Sequence, residues 1–216
     1  MSEIKNVLSE ELLTQKLKYI SEYAINLDNR IIYIFGELSE DIGTTLRVKY
    51  DLLKQWWDRV ENKSFNDITL DIASYGGQIY SITAALDFYY ELGLEGVTVN
   101  TKAQGICMSA ATVLLSGGTG IRTATPRCKF MLHDMQIDGV GGTAMQVQNT
   151  VKNIGFEQME MFMLYAEFAR KGKEPLNEKD LKAEGKKWMK RFTKDSFDHY
   201  LTSAEVLKLN LIDKLI

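Results

Sequence analysis

Two side chains with the chemistry of acyl transfer stand out in this sequence. Cys107 lies in a small-residue stretch, Gln104, Gly105, Ile106, Cys107, Met108, Ser109, Ala110, Ala111, between a strand-like run at 97–101 and an apolar helix expected over 107–116. A cysteine at the start of that helix would present its thiol beside free backbone N–H groups, which favour the thiolate. His133, one of only two histidines, follows the apolar run Phe130, Met131, Leu132, so it falls at a strand end, where functional residues of α/β sheets gather. The segment Ser74, Tyr75, Gly76, Gly77 reads as a tight turn whose glycines let the backbone approach a substrate and offer N–H donors. Nucleophile, base and oxyanion donors are the parts that a covalent acyl intermediate needs. Taken singly, each has a structural reading as well: a buried inert thiol, a core histidine, a turn.

Elements of alternating type must position these groups. Residues 9–27 carry apolar positions at helical spacing and suggest an amphipathic helix or arm, and 30–36 is an apolar run closed by Gly36, the pattern of a strand buried on both faces. A covering helix is expected over 41–61, a second strand over 67–73, a helix over 79–92 and short strands over 120–125 and 128–132 around Pro126. The glycine-bearing segment 134–142 precedes a long, Met-rich helix over 143–170, read as a core or subunit-packing element, and the charged stretch 171–195, with its basic cluster Lys186, Lys187, Lys190, Arg191, reads as a solvated helix face. A short helix opening at Ser203 and a strand-like tail at 209–216 close the chain. Strand and helix alternating at these lengths imply right-handed crossovers and a mostly parallel sheet.

The 216 residues fit one domain with a sizeable core, and a net charge of −3 with 25% charged residues gives no reason to expect nucleic-acid binding. The polar start and the lack of a long apolar run argue for a soluble cytoplasmic protein without a membrane segment. Both cysteines, Cys107 and Cys128, are expected to be reduced, and no CxxC or HExxH spacing supports a metal site.

In this order the segments resemble the proteolytic subunit of the Clp protease, a self-compartmentalising peptidase of the ClpP/crotonase superfamily. The resemblance rests on Arg30, Ile31, Ile32 with Gly36 and Glu37; on Ser74 to Gly77 for the family's SPGG turn; on 104–110 for its QAASMGA segment; on Met131, Leu132, His133 for MIH; and on the ending Leu201 to Glu205 with Leu211, Ile212, Asp213. It implies an α/β fold of the ClpP/crotonase type, built from repeated β-β-α turns with a projecting long helix, formed by 30–216 behind an N-terminal arm or axial segment, 1–29. Carried over, it makes Cys107 the nucleophile, His133 the general base and Asp198 the orienting aspartate. Gly77 and Met108 would then supply the oxyanion hole, and Gly139, Gly141 and Gly142 would belong to the segment that binds extended peptide. It further implies stacked heptameric rings, an AAA+ unfoldase as partner, unfolded polypeptides as substrates, and no cofactor. His199 is left without a role and is expected at the surface.

The segment departs from the family where activity is decided, with cysteine at the nucleophilic serine, Tyr75 for the turn proline and Ser109 after Met108. Ser109 could serve as nucleophile only if the helix register shifted by two residues, and Cys107 is preferred. A natural cysteine peptidase, a catalytically silent ring subunit and a Ser-to-Cys variant of a serine peptidase all remain open, with an acyl-CoA enzyme of the crotonase branch as a more distant alternative.

Overall fold

A computed structural model describes residues 2–136, 139–195 and 198–216. Eight strands form one sheet: β1 (Ile25–Asn26), β2 (Ile31–Leu38), β3 (Asp67–Gly77), β4 (Thr98–Met108), β5 (Arg122–Ala124), β6 (Lys129–Leu132), β7 (His199–Thr202) and β8 (Lys214–Leu215). The helices between them are α1 (Ser2–Tyr23), α2 (Ile42–Trp56), α3 (Ile79–Leu94), α4 (Ala110–Ser116), α5 (Ala144–Phe168), α6 (Glu178–Thr193) and α7 (Ser203–Lys208). A π-helical turn, Trp57–Glu61, continues α2. Strand order is β1-β2-β3-β4-β5-β8, and the pairs β2·β3, β3·β4, β4·β5, β4·β6 and β5·β8 are parallel, while β1·β2 and β6·β7 are antiparallel. The fold is thus α/β with a mostly parallel sheet.

Strands β2, β3 and β4 place Ile32, Ile34, Leu70, Ile72, Val99 and Ala103 in a core covered by Leu46, Tyr50 and Leu53 of α2 and by Phe88, Tyr89 and Leu92 of α3. Ile25 and Leu27, before the expected boundary at residue 30, pack into the same core.

Two corrections concern the elements that carry the chemistry. First, Ser74 to Gly77 is no free turn. It is the bulged end of β3, because Gly36 and Leu38 of β2 pair with Ser74 and Gly77, and Cys107 of β4 pairs with Ser74 on the other side. Second, β4 does not give way to helix at Cys107. Its first half pairs with β5 through Thr101, Lys102 and Ala103, and its second half pairs with β6 through Ile106, Cys107 and Met108. Gly105, at φ +68°, lies where β4 forks between the two partners, a backbone region that glycine enters without steric cost. These ladders keep the chain extended to Met108, and the turn into α4 is made by Ser109.

Candidate active site

Ser109 joins β4 to α4 with φ 51° and ψ −131°, a conformation unusual for a residue with a Cβ. Its N–H donates to Met131 O of β6 (2.8 Å), and its carbonyl accepts from the Thr112 hydroxyl (2.7 Å). The Tyr165 hydroxyl of α5 is hydrogen-bonded to Thr112 Oγ1 and lies 3.4 Å from Ser109 O. At the far end of α4 the Leu114 and Leu115 carbonyls accept from Tyr89 (3.0 Å) and Thr101 (2.7 Å). The short helix is therefore fixed at both ends.

The Ser109 hydroxyl is hydrogen-bonded to His133 Nε2 at 2.7 Å. His133 directly follows β6, whose antiparallel partner β7 sets Leu132 opposite His199. One step further along that ladder Asp198 comes opposite His133, and its Oδ1 lies 3.9 Å from His133 Nδ1. Serine, imidazole and carboxylate stand in sequence, the carboxylate just beyond hydrogen-bond length.

Gly76 lies against this turn at φ +98°. A Cβ there would come within 2.7 Å of both Met108 O and Ser109 Cβ and 3.0 Å of Ala110 N, so only glycine fits. The same contact brings the glycine pair beside Ala110, whose N–H stands at the first position of α4 and is outside the helical ladder. Gly76, Gly77, Ser109, Ala110 and His133 all line one cleft of about 980 Å³, closed on its other side by α5.

Cys107 does not reach the cleft. It is fully buried inside the sheet, and burial, reinforced by nearby Cys128, holds its thiol well above the usual range. A ladder on either side encloses it, so the arrangement expected of a catalytic thiolate is absent; the hydroxyl two residues on faces His133 instead. Met108 is the last residue of β4, paired with Met131, and the N–H that follows Ser109 is that of Ala110. Gly139 and Gly141 line the cleft, whereas Gly142 packs beside the Thr143–Gln146 capping box that starts α5. His199 is half-buried, its ring edge-on to Phe192 at 5.6 Å. The sequence reading ranked Ser109 below Cys107 and gave Ala110, Thr112 and Tyr165 no role. A signal for Ser109 and Ala110 was present: set on the family's QAASMGA segment, Ser109, Ala110 and Ala111 give a serine followed by small residues at the mouth of an apolar helix. Among the described residues no group of three or more His, Cys, Asp or Glu is placed to hold a metal ion, and no helix is long and apolar enough to cross a membrane.

Comparison with known proteins points to one family. The family model described as Clp protease matches residues 15–216. Over 198 residues the chain is 30% identical to the ATP-dependent Clp protease proteolytic subunit 1 of Corynebacterium jeikeium, covering 91% of this chain and 92% of that one. The corresponding subunit 2 of Mycolicibacterium paratuberculosis is 28% identical over 198 residues (91% and 86% covered), and that of Corynebacterium glutamicum is 30% identical over 192 residues (88% and 83%). Matched over nearly its whole length by one family and its curated members, the chain belongs to the Clp protease family.

Proposed function

We propose that the chain is a serine-type peptidase subunit in which Ser109 is the nucleophile, His133 the general base and Asp198 the group that orients it. The 2.7 Å hydrogen bond between Ser109 Oγ and His133 Nε2, at the wall of a cleft large enough for an extended peptide, carries this reading. Ser109 Oγ attacks the peptide carbonyl while Nε2 takes its proton, which requires the imidazole to hold its other proton on Nδ1, the nitrogen facing Asp198. An approach of about 1 Å by Asp198 makes that contact a hydrogen bond, and such contacts commonly tighten when substrate binds. The oxyanion is received by the N–H groups of Gly77 and Ala110. The amine leaves with the proton from His133, and water then hydrolyses the ester on Ser109.

The relatives are named as subunits of an ATP-dependent protease. We extend this to the chain as cleavage of unfolded polypeptides inside stacked heptameric rings, fed by an AAA+ unfoldase that alone uses ATP. Exposed Met145, Val151 and Phe156 along α5 are in keeping with a helix that packs against other subunits. The alternative of a catalytically silent ring rested on the loss of the nucleophilic serine; the Ser109 hydroxyl in contact with His133 supports the active reading instead.

The test is hydrolysis of short fluorogenic peptides by the size-checked oligomer. Ser109→Ala is expected to lower kcat by roughly 10³-fold or more, while Cys107→Ser keeps most of it. Full activity in Ser109→Ala, or its loss in Cys107→Ala alone, would overturn the assignment.

A further inference from the structure

The cleft beside Ser109 carries charge of one sign. Among the described residues its lining includes the carboxylates of Glu37 and Glu157 and no lysine or arginine. Glu157 sits on α5 in the stripe Thr150, Ile154, Glu157, Met161 that forms one wall, at the spacing of a single helix face. One turn past Met161 comes Tyr165, which touches Ser109 O. Moving outward from the reactive hydroxyl, the wall therefore runs from Met161 to Glu157, with Glu157 about 12 Å from Tyr165 along the helix axis and its side chain leaning further toward the N-terminus. Met131 and Met135 line the same cleft near His133, so a thioether collar precedes the carboxylate.

Glu157 is half-buried, and its Oε1 accepts a 2.6 Å hydrogen bond from the hydroxyl of Tyr80, in the first turn of α3. The bond joins two lining residues of the cleft, Tyr80 being largely exposed. It fixes one carboxylate oxygen and leaves the other without a hydrogen bond among the described residues. An apolar collar ending in a fixed carboxylate matches a side chain with a methylene stem and a cationic head. A carboxylate there disfavours an acidic residue by repulsion and an aliphatic one by leaving the charge unpaired once water is displaced.

We propose that this cleft selects peptides with lysine or arginine on the acyl side of the scissile bond, with Glu157 as counter-charge and Tyr80 as the residue that positions it. The inference rests on the peptidase reading and deepens it to a substrate class.

The test uses tripeptidyl diphenyl phosphonates, which transfer phosphorus to a reactive serine with loss of phenol, carrying a lysine, norleucine or glutamate side chain at the reacting position. Rates of labelling of the intact oligomer are followed by mass, with the modified residue mapped. The lysine compound is expected to label Ser109 about tenfold or more faster than the norleucine compound, as befits a charge-assisted contact, with glutamate slowest. The ratio falls toward one in Glu157→Gln, drops partway in Tyr80→Phe and reverses in favour of glutamate in Glu157→Lys. A ratio of one or below in the parent protein, or one unchanged by Glu157→Gln, overturns the selectivity while labelling by norleucine still upholds the peptidase. Failure of all three compounds to modify Ser109 overturns both.

Discussion

At φ 51° and ψ −131°, Ser109 occupies backbone that costs a residue with a Cβ about 1–3 kcal/mol. The surroundings impose it, through Met131 on the amide and Thr112 on the carbonyl. A glycine relieves that strain, whereas an alanine retains it, so Ser109→Gly is expected to melt a few degrees above Ser109→Ala, about 1 kcal/mol. Thermal unfolding of the two variants measures the strain apart from the chemistry. Cys107 makes the opposite case: burial raises its thiol pKa well above the usual range and that of Cys128 to about 12. Both should resist iodoacetamide in the native protein at pH 8 and react fully once denaturant opens the core; rapid native alkylation of Cys107 would contradict its enclosure. At this scale short motifs singled out His133, Asp198 and Gly77, three residues that the structure brings near the Ser109 turn. Helix was expected from Cys107 onward because Ile106, Cys107 and Met108 are as apolar as the helix that follows. What keeps them extended is pairing with Phe130 and Met131, more than twenty residues away, and that pairing leaves no local signal.

Among the elements, α5 and α6 support the site from behind. Tyr165 stacks on Trp188 (5.9 Å, 14°), Trp188 packs on Phe192 (5.7 Å), and Phe192 meets His199 beside Asp198. One aromatic column therefore joins the turn that carries Ser109 to the strand that follows Asp198. The hydroxyl of Tyr165 is the link to the turn, and in Tyr165→Phe Thr112 and the Ser109 carbonyl lose that partner while the stacking survives. The expected result is a kcat several-fold lower with KM little changed and a stability loss of about 1 kcal/mol; a change in KM alone would assign Tyr165 to substrate binding instead. The helical spacing of α5 and the exposed basic face of α6 could be read from sequence. The inward face of α6 could not, because Gly185, Trp188 and Phe192 are sparse apolar positions among lysines, and only contact with α5 makes them a packing surface.

Over the whole molecule, the chain's ends of elements converge on Arg122, which is fully buried yet charged. Its guanidinium donates to Asp213 (2.6 Å), to the Ser116 and Phe168 carbonyls that end α4 and α5, and to Asn210 O after α7. The C-terminal segment is thereby tied to the back of the helix that presents Ser109. Alternation of strand and helix had indicated the parallel sheet, but nothing in the composition marks one arginine as its closing contact, since Arg122 and Asp213 meet only once the fold is complete. Burial raises the Asp213 carboxyl, but the hydrogen bonds and charge of Arg122, with Lys171, outweigh it and hold it below the ordinary carboxylate range. A depressed folded pKa supplies stability that is present above the unfolded value of about 3.9 and is lost as pH falls through the folded value. Asp213→Asn should therefore lower the melting temperature at pH 7 by several degrees, the roughly 3 kcal/mol typical of breaking a fully buried ion pair being an upper bound because Asp213 keeps about a third of its side chain exposed. The gap between parent and variant should then narrow steadily below about pH 4 as protonation removes the same charge from the parent. A gap that stays constant from pH 7 to pH 3 would mean that Asp213 acts by shape and hydrogen bonding rather than by charge.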